Sequence, residues 1–526
     1  MSRPSLRSRC AFARLRSPVL FAVLLAPGLL AQAVHYELAI ADVDAQTAVV
    51  RATFPAAGKD TVELFLPVWS PGFYRAQDYS KNVMSFNASG GGTVLAVEQP
   101  RPNRWRIATN GAAEVTAAYT LHCARASVTE NQIASDFAVF CGPATFVGEV
   151  GAAARAHSVH VTLPPGWAHV ATGMAPRAGG GADEFTAPDY DRLLDAPIVL
   201  GAVATTAFDV LGARHEWAQF GNASKFDAPA LVKVLQPVTA EVCRTFGAVP
   251  FEHYVFLAGF RNSNGGLEHL DSALVTVGSM QRADDTGFLS FLAHEYTHAF
   301  NVKRLRPVEL GPFDYENPPR TDSLWIAEGL TTWFGELALA RAGVIQSEDW
   351  LRLLTAHVQR LQRSPGRVRQ TLADASNSVW QSSNSGVGGD PRTTVSYYVK
   401  GPVVGFLLDA RLRKASDCKY GLDELMRRAY AKYSGTKGFT PAEFEAIAAE
   451  VAGSDQRAFF DAALRSTAEL DYDEALEWFG LGFLHSDPRA EADHNWELHV
   501  RGNATPEQRA HLRTLLAPSP ALSTPK

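Results

Sequence analysis

The sequence predicts a multidomain α+β protein: a β-rich N-terminal domain, a mixed middle domain and a helical C-terminal domain. Three observations carry this. Residues 34–205 break into short runs of alternating polarity, whereas a period near 3.6 dominates after Gln346. Between the two regimes lies Phe291-Leu-Ala-His-Glu-Tyr-Thr-His-Ala-Phe-Asn301, a helix-like stretch whose polar residues are spaced for chemistry rather than packing. Finally, 526 residues exceed one ordinary hydrophobic core, so several domains are expected.

The first 33 residues read as a signal peptide. Arg3, Arg7, Arg9, Arg14 and Arg16 precede an apolar run from Val19 to Leu30, followed by Ala31-Gln-Ala33. This is a basic region, a short apolar region and a small-x-small cleavage site. A retained anchor is the alternative, but the run is short for a bilayer and Pro27 interrupts it. The mature chain is expected to be exported, periplasmic or secreted, with no stable membrane insertion. A net charge of −6 offers no basic excess for nucleic acid.

Export permits disulfides. Cys10 leaves with the leader, while Cys123, Cys141, Cys243 and Cys418 remain. Cys123 and Cys141 lie in strand-like runs across a polar turn, which favours a bridge spanning a hairpin; four free thiols is the alternative. No Cys-x-x-Cys pair exists, which argues against a thiolate metal site. Sequons at Asn87, Asn222 and Asn503 matter only in a glycosylating host.

Within residues 34–205, His35–Ile40, Ala48–Phe54, Thr61–Leu66 and Glu114–Leu121 alternate with period two. Gly90–Gly92 and Gly179–Gly181 mark loops. Residues 206–345 form the mixed domain, with strands at Tyr254–Phe260 and Ser272–Val277 flanking Asn264-Gly-Gly-Leu-Glu-His269. The motif helix, a Pro-rich crossing from Pro307 to Pro319 and a second helix from Ser323 to Ala342 follow. Residues 346–480 are helical, at Trp350–Leu361, Val403–Arg413, Leu422–Tyr433, Pro441–Val451 and Gln456–Leu464. Thr440 and Glu443 make a capping box for the fourth of these. Residues 481–526 are read as a C-terminal tail, polar from about Asp487 and loosely ordered at its Pro-rich terminus.

His294 and His298 are four apart, so on a helix their Cβ atoms share one face about 5–6 Å apart. Two imidazoles so placed can grip one metal ion, with Glu295 leaning toward its open side. Glu328 offers a third ligand: an unpaired carboxylate inside an apolar helix is costly to bury, and a cation removes that cost. Three protein ligands and one open position describe a catalytic zinc site, one ion per chain. Glu295 is then placed to take the proton of the attacking water. Peptide hydrolysis also needs an oxyanion donor, and Tyr397 or Tyr398 could serve. Asn301 either supports a ligand or packs the end of its helix.

The stretches His294-Glu-Tyr-Thr-His-Ala-Phe-Asn-Val-Lys-Arg-Leu-Arg-Pro307, Gly311-Pro-Phe-Asp-Tyr315 and Trp325-Ile-Ala-Glu-Gly-Leu-Thr331 together resemble the glycyl aminopeptidase family of zinc metallopeptidases. These are gluzincins, whose third ligand is glutamate. The resemblance extends through Leu66-Pro-Val-Trp-Ser-Pro-Gly-Phe-Tyr74 and reaches about Gly480. It implies a thermolysin-like catalytic domain and peptide substrates with a free N-terminus. Gly265-Gly-Leu-Glu-His269 is similar to the exopeptidase strand of aminopeptidase N-type enzymes, which makes Gly265 and Gly266 substrate-binding and Glu268 the anchor of the α-amine. Tyr398-Val-Lys-Gly401 is similar to a Tyr-Glu-Lys-Gly motif and selects Tyr398 as oxyanion donor. Release of small N-terminal residues such as Gly or Ala is implied. The family usually carries a C-terminal PDZ domain, and the residues after Gly480 are too few for one. A zinc endopeptidase without the amine anchor and a catalytically silent peptide-binding protein are the other readings.

Overall fold

The computed structural model describes residues 33–261, 265–278, 280–382, 388–484 and 496–522. Residues 1–32 of the leader, Asn264 and Asp487 therefore lie outside the described residues. The N-terminal part is β-rich, as alternation requires. Val34–Asp42, Thr47–Pro55 and Glu114–His122 are neighbours in an eight-stranded sheet. Their inward residues, among them Tyr36, Leu38, Val50, Phe54 and Tyr119, share one core with two four-stranded sheets. Tyr36, Tyr119 and Tyr190 donate to the successive carbonyls of Val147, Thr145 and Phe146, so the buried hydroxyls also tie a loop to the sheet.

The expected Cys123–Cys141 bridge is absent, and both residues are buried free thiols. The strand preceding Cys141, Phe137–Phe140, pairs with Gln132–Ile133 and Ile198–Gly201 rather than with the strand leading to Cys123. Each sulfur rests instead near backbone carbonyls. Burial pushes both thiols up to about 12, which keeps them protonated and unreactive.

A five-stranded sheet organises the middle of the chain, in the order Ala204–Val210, Ala213–Gly221, His253–Phe260, Ser272–Val277, Gly266–Glu268. The central strands are buried on both faces. Tyr254, Phe256 and Val275 enter the core shared with the helices, while Val255, Leu257 and Leu274 enter the N-terminal core. One sheet thereby joins the two parts. Gly266–Glu268 is its antiparallel edge, with Glu268 opposite Ala273.

The helices depart from the sequence reading at several points, among them the helix Ala228–Phe246, which it did not contain. The helix read from Ser323 opens with a π turn, Trp325–Leu330, before the α-helix Thr331–Arg341. The helix expected near Pro402 begins at Tyr397 and runs to Ala415, with Pro402 inside its early turns. The polar tail contains a strand and a helix ahead of its terminus. Leu498–Val500 pairs with Leu481–Phe483, and Pro506–Leu516 is a helix capped reciprocally by Thr505 and Gln508. Leu512 and Leu515 are buried, Arg341 donates to the Leu515 carbonyl, and the Ser519 N–H donates to Glu241. The Thr440–Glu443 capping box is present. Among the described residues no helix is long and apolar enough to cross a membrane.

Candidate metal centre

The motif helix, Thr286–Thr297, starts at Asp285, whose carboxylate accepts from the Phe288 N–H. His294 is part-buried and His298 sits at the C-cap, 2% exposed. Their Nε2 atoms are 2.9 Å apart with the rings nearly perpendicular, at 87°. Glu328 places Oε2 3.2 Å from Nε2 of His298 and 3.6 Å from Nε2 of His294. Each ring's Nδ1 faces an acceptor: the Asn301 carbonyl at 2.9 Å from His298, and Thr332 Oγ1 at 3.1 Å from His294. In the neutral rings these partners place the proton on Nδ1, which turns both Nε2 atoms toward Glu328.

Two lone pairs and a carboxylate oxygen so close together repel unless a cation lies among them. Donor atoms about 2.0–2.1 Å from a tetrahedral ion stand roughly 3.3 Å apart, which is the spacing found here. Among the described residues, these three form the one group of His, Cys, Asp or Glu whose ligand atoms lie within 4.8 Å of one another. Two nitrogens and one oxygen suit zinc. The structure thus brings His294, His298 and Glu328 to one point.

Close helix packing holds Glu328 there. It sits in the π turn, where a β-carbon on the next residue, Gly329, would be 2.6 Å from the Gly401 Cα and 2.9 Å from the Tyr397 carbonyl. Two facing glycines let the turn and the Tyr397–Ala415 helix touch backbone to backbone. Asn301 fastens the same turn to the motif helix, donating to the Ile326 carbonyl at 2.8 Å and to Thr331 Oγ1 at 3.0 Å.

Three buried carboxylates crowd this point: Glu268, Glu295 and Glu328, at 4%, 5% and 1% exposure. Burial raises Glu295 to about 8, with the charges of Glu268 and Glu328 adding and His298 opposing. Burial also raises Glu268. For Glu328, His298 and His294 overcome burial and bring it down to about 2. Burial alone would lower His298, yet Glu268, Glu328 and Glu295 lift it to about 10. The cavity is therefore short of positive charge. Oε1 of Glu268, Oε2 of Glu295 and Oε1 of Glu328 are buried with no hydrogen-bond partner, which is what a site built for a cation and a charged ligand requires.

The edge strand lies over Glu295, where a β-carbon on Gly266 would overlap that carboxylate and approach the Phe291 ring to 2.8 Å. The Gly265 carbonyl accepts from the Thr276 N–H and hydroxyl at 2.9 and 2.8 Å, which fixes that peptide to the sheet. Tyr398 is half-buried with its ring 6.1 Å from that of His294, whereas Tyr397 is fully buried against it. Burial, then the Glu328 charge, raises both phenols well above their usual range and keeps them protonated.

Residues that sequence reasoning assigned no role also converge here. Tyr74, from the N-terminal part, is buried with its phenol raised by burial and then by Glu328 and Glu268. Gly72 lies against Glu268. Asp195 accepts from the Leu270 N–H at 2.7 Å and pairs with Lys303 at 2.6 Å, tying the residues beyond Glu268 to the N-terminal part. The only sequence signal for Gly72 and Tyr74 was their place in the Leu66–Tyr74 stretch.

Comparison with known proteins adds independent findings. Residues 35–202 match the Peptidase M61 N-terminal domain, and residues 287–404 match the M61 glycyl aminopeptidase family. The fold is similar to that of an aminopeptidase N family protein from Idiomarina loihiensis: 28% identity, TM-score 0.80, covering 85% of this chain and 78% of that one. It is also similar to an M1 zinc metallopeptidase from Deinococcus radiodurans, in a variant bound to a Tyr-Ser-Ala substrate. There the identity is 11% and the TM-score 0.56, with 84% and 94% of the two chains covered. At that identity the likeness concerns the fold. No curated protein sequence matches the chain.

Proposed function

Because the chain belongs to the M61 glycyl aminopeptidase family of metallopeptidases, we propose that it is a zinc-dependent aminopeptidase releasing small N-terminal residues such as Gly or Ala. One observation carries the reading: three ligand atoms within 4.8 Å of one another, beside a buried carboxylate with an unpartnered oxygen on an edge strand.

His294, His298 and Glu328 would hold the ion, one per chain. Zinc bound there supplies Lewis acidity, polarising the scissile carbonyl and acidifying water. Glu295 takes a proton from the attacking water and returns it to the leaving amine; its burial and raised pKa support that double duty. Tyr398 donates its hydroxyl to the developing oxyanion, and its protonated state supports this role. Gly265 and Gly266 present backbone along an extended peptide, as an open sheet edge can. Glu268 meets the substrate's α-ammonium, a charge-assisted contact that fixes cleavage one residue from the N-terminus. Residues 1–33 act as an export leader in this proposal, so the enzyme works in the periplasm or outside the cell.

The deciding experiment pairs zinc analysis of purified protein with a panel of aminoacyl-arylamides and their N-acetylated counterparts. The reading expects one zinc per chain, fastest release from Gly and Ala, and no cleavage of blocked substrates. Glu295→Gln should keep zinc and lose hydrolysis. Cleavage of blocked peptides untouched by Glu268→Ala would point to an endopeptidase. Mass determination of the exported form tests the leader.

A further inference from the structure

We propose that Gly72, supplied by the N-terminal domain, is a specificity-determining positioning residue that lets the Glu268 carboxylate stand where it reads the substrate amine. The inference deepens the aminopeptidase proposal and rests on its assignment of Glu268.

Ser70-Pro-Gly-Phe73 is a tight turn. The Phe73 N–H donates to the Ser70 carbonyl at 3.0 Å, Pro71 holds the second position, and Gly72 takes the third with φ +87°. Those are the marks of a type II turn. Two bonds pin it to the catalytic side: Trp69 Nε1 donates to the Asp314 carbonyl at 2.8 Å and the Val68 N–H donates to the Tyr315 carbonyl at 2.9 Å. The Ser70 and Tyr79 hydroxyls, 2.7 Å apart, hold it within the N-terminal part.

The tip of this turn presses on Glu268. A β-carbon on Gly72 would overlap Oε1 and stand 2.6 Å from Oε2 and 2.7 Å from Cδ. Glu268 cannot easily retreat, because it is 4% exposed and its strand is anchored behind by Asp195 on the Leu270 N–H. The glycine thus meets two separate demands, a positive φ and an absent side chain. Any side chain there moves the carboxylate toward or away from the metal point. The amine subsite is in this sense shared between two domains: one supplies the carboxylate and the other sets its position.

Four variants separate the demands. Gly72→Ala needs the carboxylate to give way by about 1 Å before its nearest oxygen reaches ordinary contact at 3.4 Å, and a shift of that size costs on the order of 10²-fold in rate. Gly58→Ala is the matched control: its φ is +74° and nothing lies within 4 Å of a β-carbon there, so it carries the backbone strain alone. Glu268→Asp shortens the carboxylate by one methylene. The fourth variant combines Gly72→Ala with Glu268→Asp. For each, kcat and KM on alanyl-arylamide, zinc content and melting temperature are measured.

The proposal expects Gly72→Ala to lose about 10²-fold in kcat/KM with zinc retained, and Gly58→Ala to stay within about twofold. The double variant should match Glu268→Asp alone, the non-additivity of residues in contact. If Gly72→Ala does not fold but the double variant does, the same contact is read in stability. Additive losses, or a Gly72→Ala enzyme like wild type, overturn the proposal, as does failure of both Gly72 variants to fold while Gly58→Ala folds. Glu268→Ala tells this failure from that of the underlying reading. If that variant still cleaves free-amine substrates normally, the amine assignment itself is wrong, whatever Gly72 does.

Discussion

Replacing Thr332 with Val tests whether the metal point is held by the hydrogen bonds behind it. Thr332 Oγ1 faces His294 Nδ1 at 3.1 Å and donates to the Glu328 carbonyl at 3.0 Å. One hydroxyl thus orients the His294 ring and touches the backbone of Glu328. Valine keeps the shape and removes the oxygen, leaving the Nδ1 proton without its acceptor. An unsatisfied group of this kind costs about 1–3 kcal/mol. At about 1.4 kcal/mol per decade, that becomes a loss of roughly tenfold to hundredfold in metal affinity. Competition against a chromophoric chelator measures the affinity directly, and Thr332→Ser should restore most of it. With zinc saturating, kcat should change little, because no reacting atom has moved. An unchanged zinc affinity in a folded Thr332→Val protein would falsify the claim that this bond sets the ring.

Three further outcomes are expected. Gly401→Ala puts a β-carbon 2.6 Å from the Gly329 Cα, so the helix carrying Tyr398 must move; kcat should fall by about 10²-fold, with a destabilisation of about 1–3 kcal/mol seen by denaturant titration. His157 is buried beside Tyr36 and Tyr190 with both ring nitrogens unpartnered, and burial lowers it to about 4. The unfolded ring protonates near pH 6.5 while the folded one stays neutral, so this residue's contribution to stability is intact above pH 6.5 and lost as pH falls toward 4. His157→Phe should therefore raise the melting temperature, with a gain that grows across that window; a pH-independent difference refutes the assignment. Truncation after Ala504 exposes Glu241 and Arg341, both buried at 1% and 4%. It should lower the melting temperature by several degrees, read by calorimetry, rather than leave it unchanged as loss of a loose tail would.

Much of the architecture was legible because burial imposes periods. Strand Glu114–His122 alternates buried and less buried residues at every step, and the helix Leu422–Tyr433 was bounded to the residue by its apolar spacing. The cysteine expectation failed for a related reason. Alternation tells which face a residue occupies, not which strand lies next to it, and Phe137–Phe140 found other neighbours. The helix in the tail went unread because overall polarity hid it, although Thr505 and Gln508 are a cap signal of the same kind as Thr440 and Glu443.

The candidate site divides along the same line. His294 and His298 share a helix, so spacing alone placed them side by side. Glu328 is 30 positions further on, and the residue came forward because a buried carboxylate needs a partner, not because periodicity pointed it at the histidines. In fact its position depends on a π turn, which widens the helix by one residue per turn. In a regular helix one residue more or less rotates a side chain by about 100° about the axis, enough to turn the carboxylate away from both Nε2 atoms. Nothing in the composition of Trp325–Leu330 distinguishes that turn from an α-helix. The contacts that accompany it are tertiary: Gly329 against Gly401, and the Asn301 amide on the Ile326 carbonyl. Gly72 belongs to the same class, since its contact partner lies almost 200 positions away in another domain. Residues that act by local spacing can be read from one chain segment, whereas residues that act by leaving space are visible only once the second segment is in place.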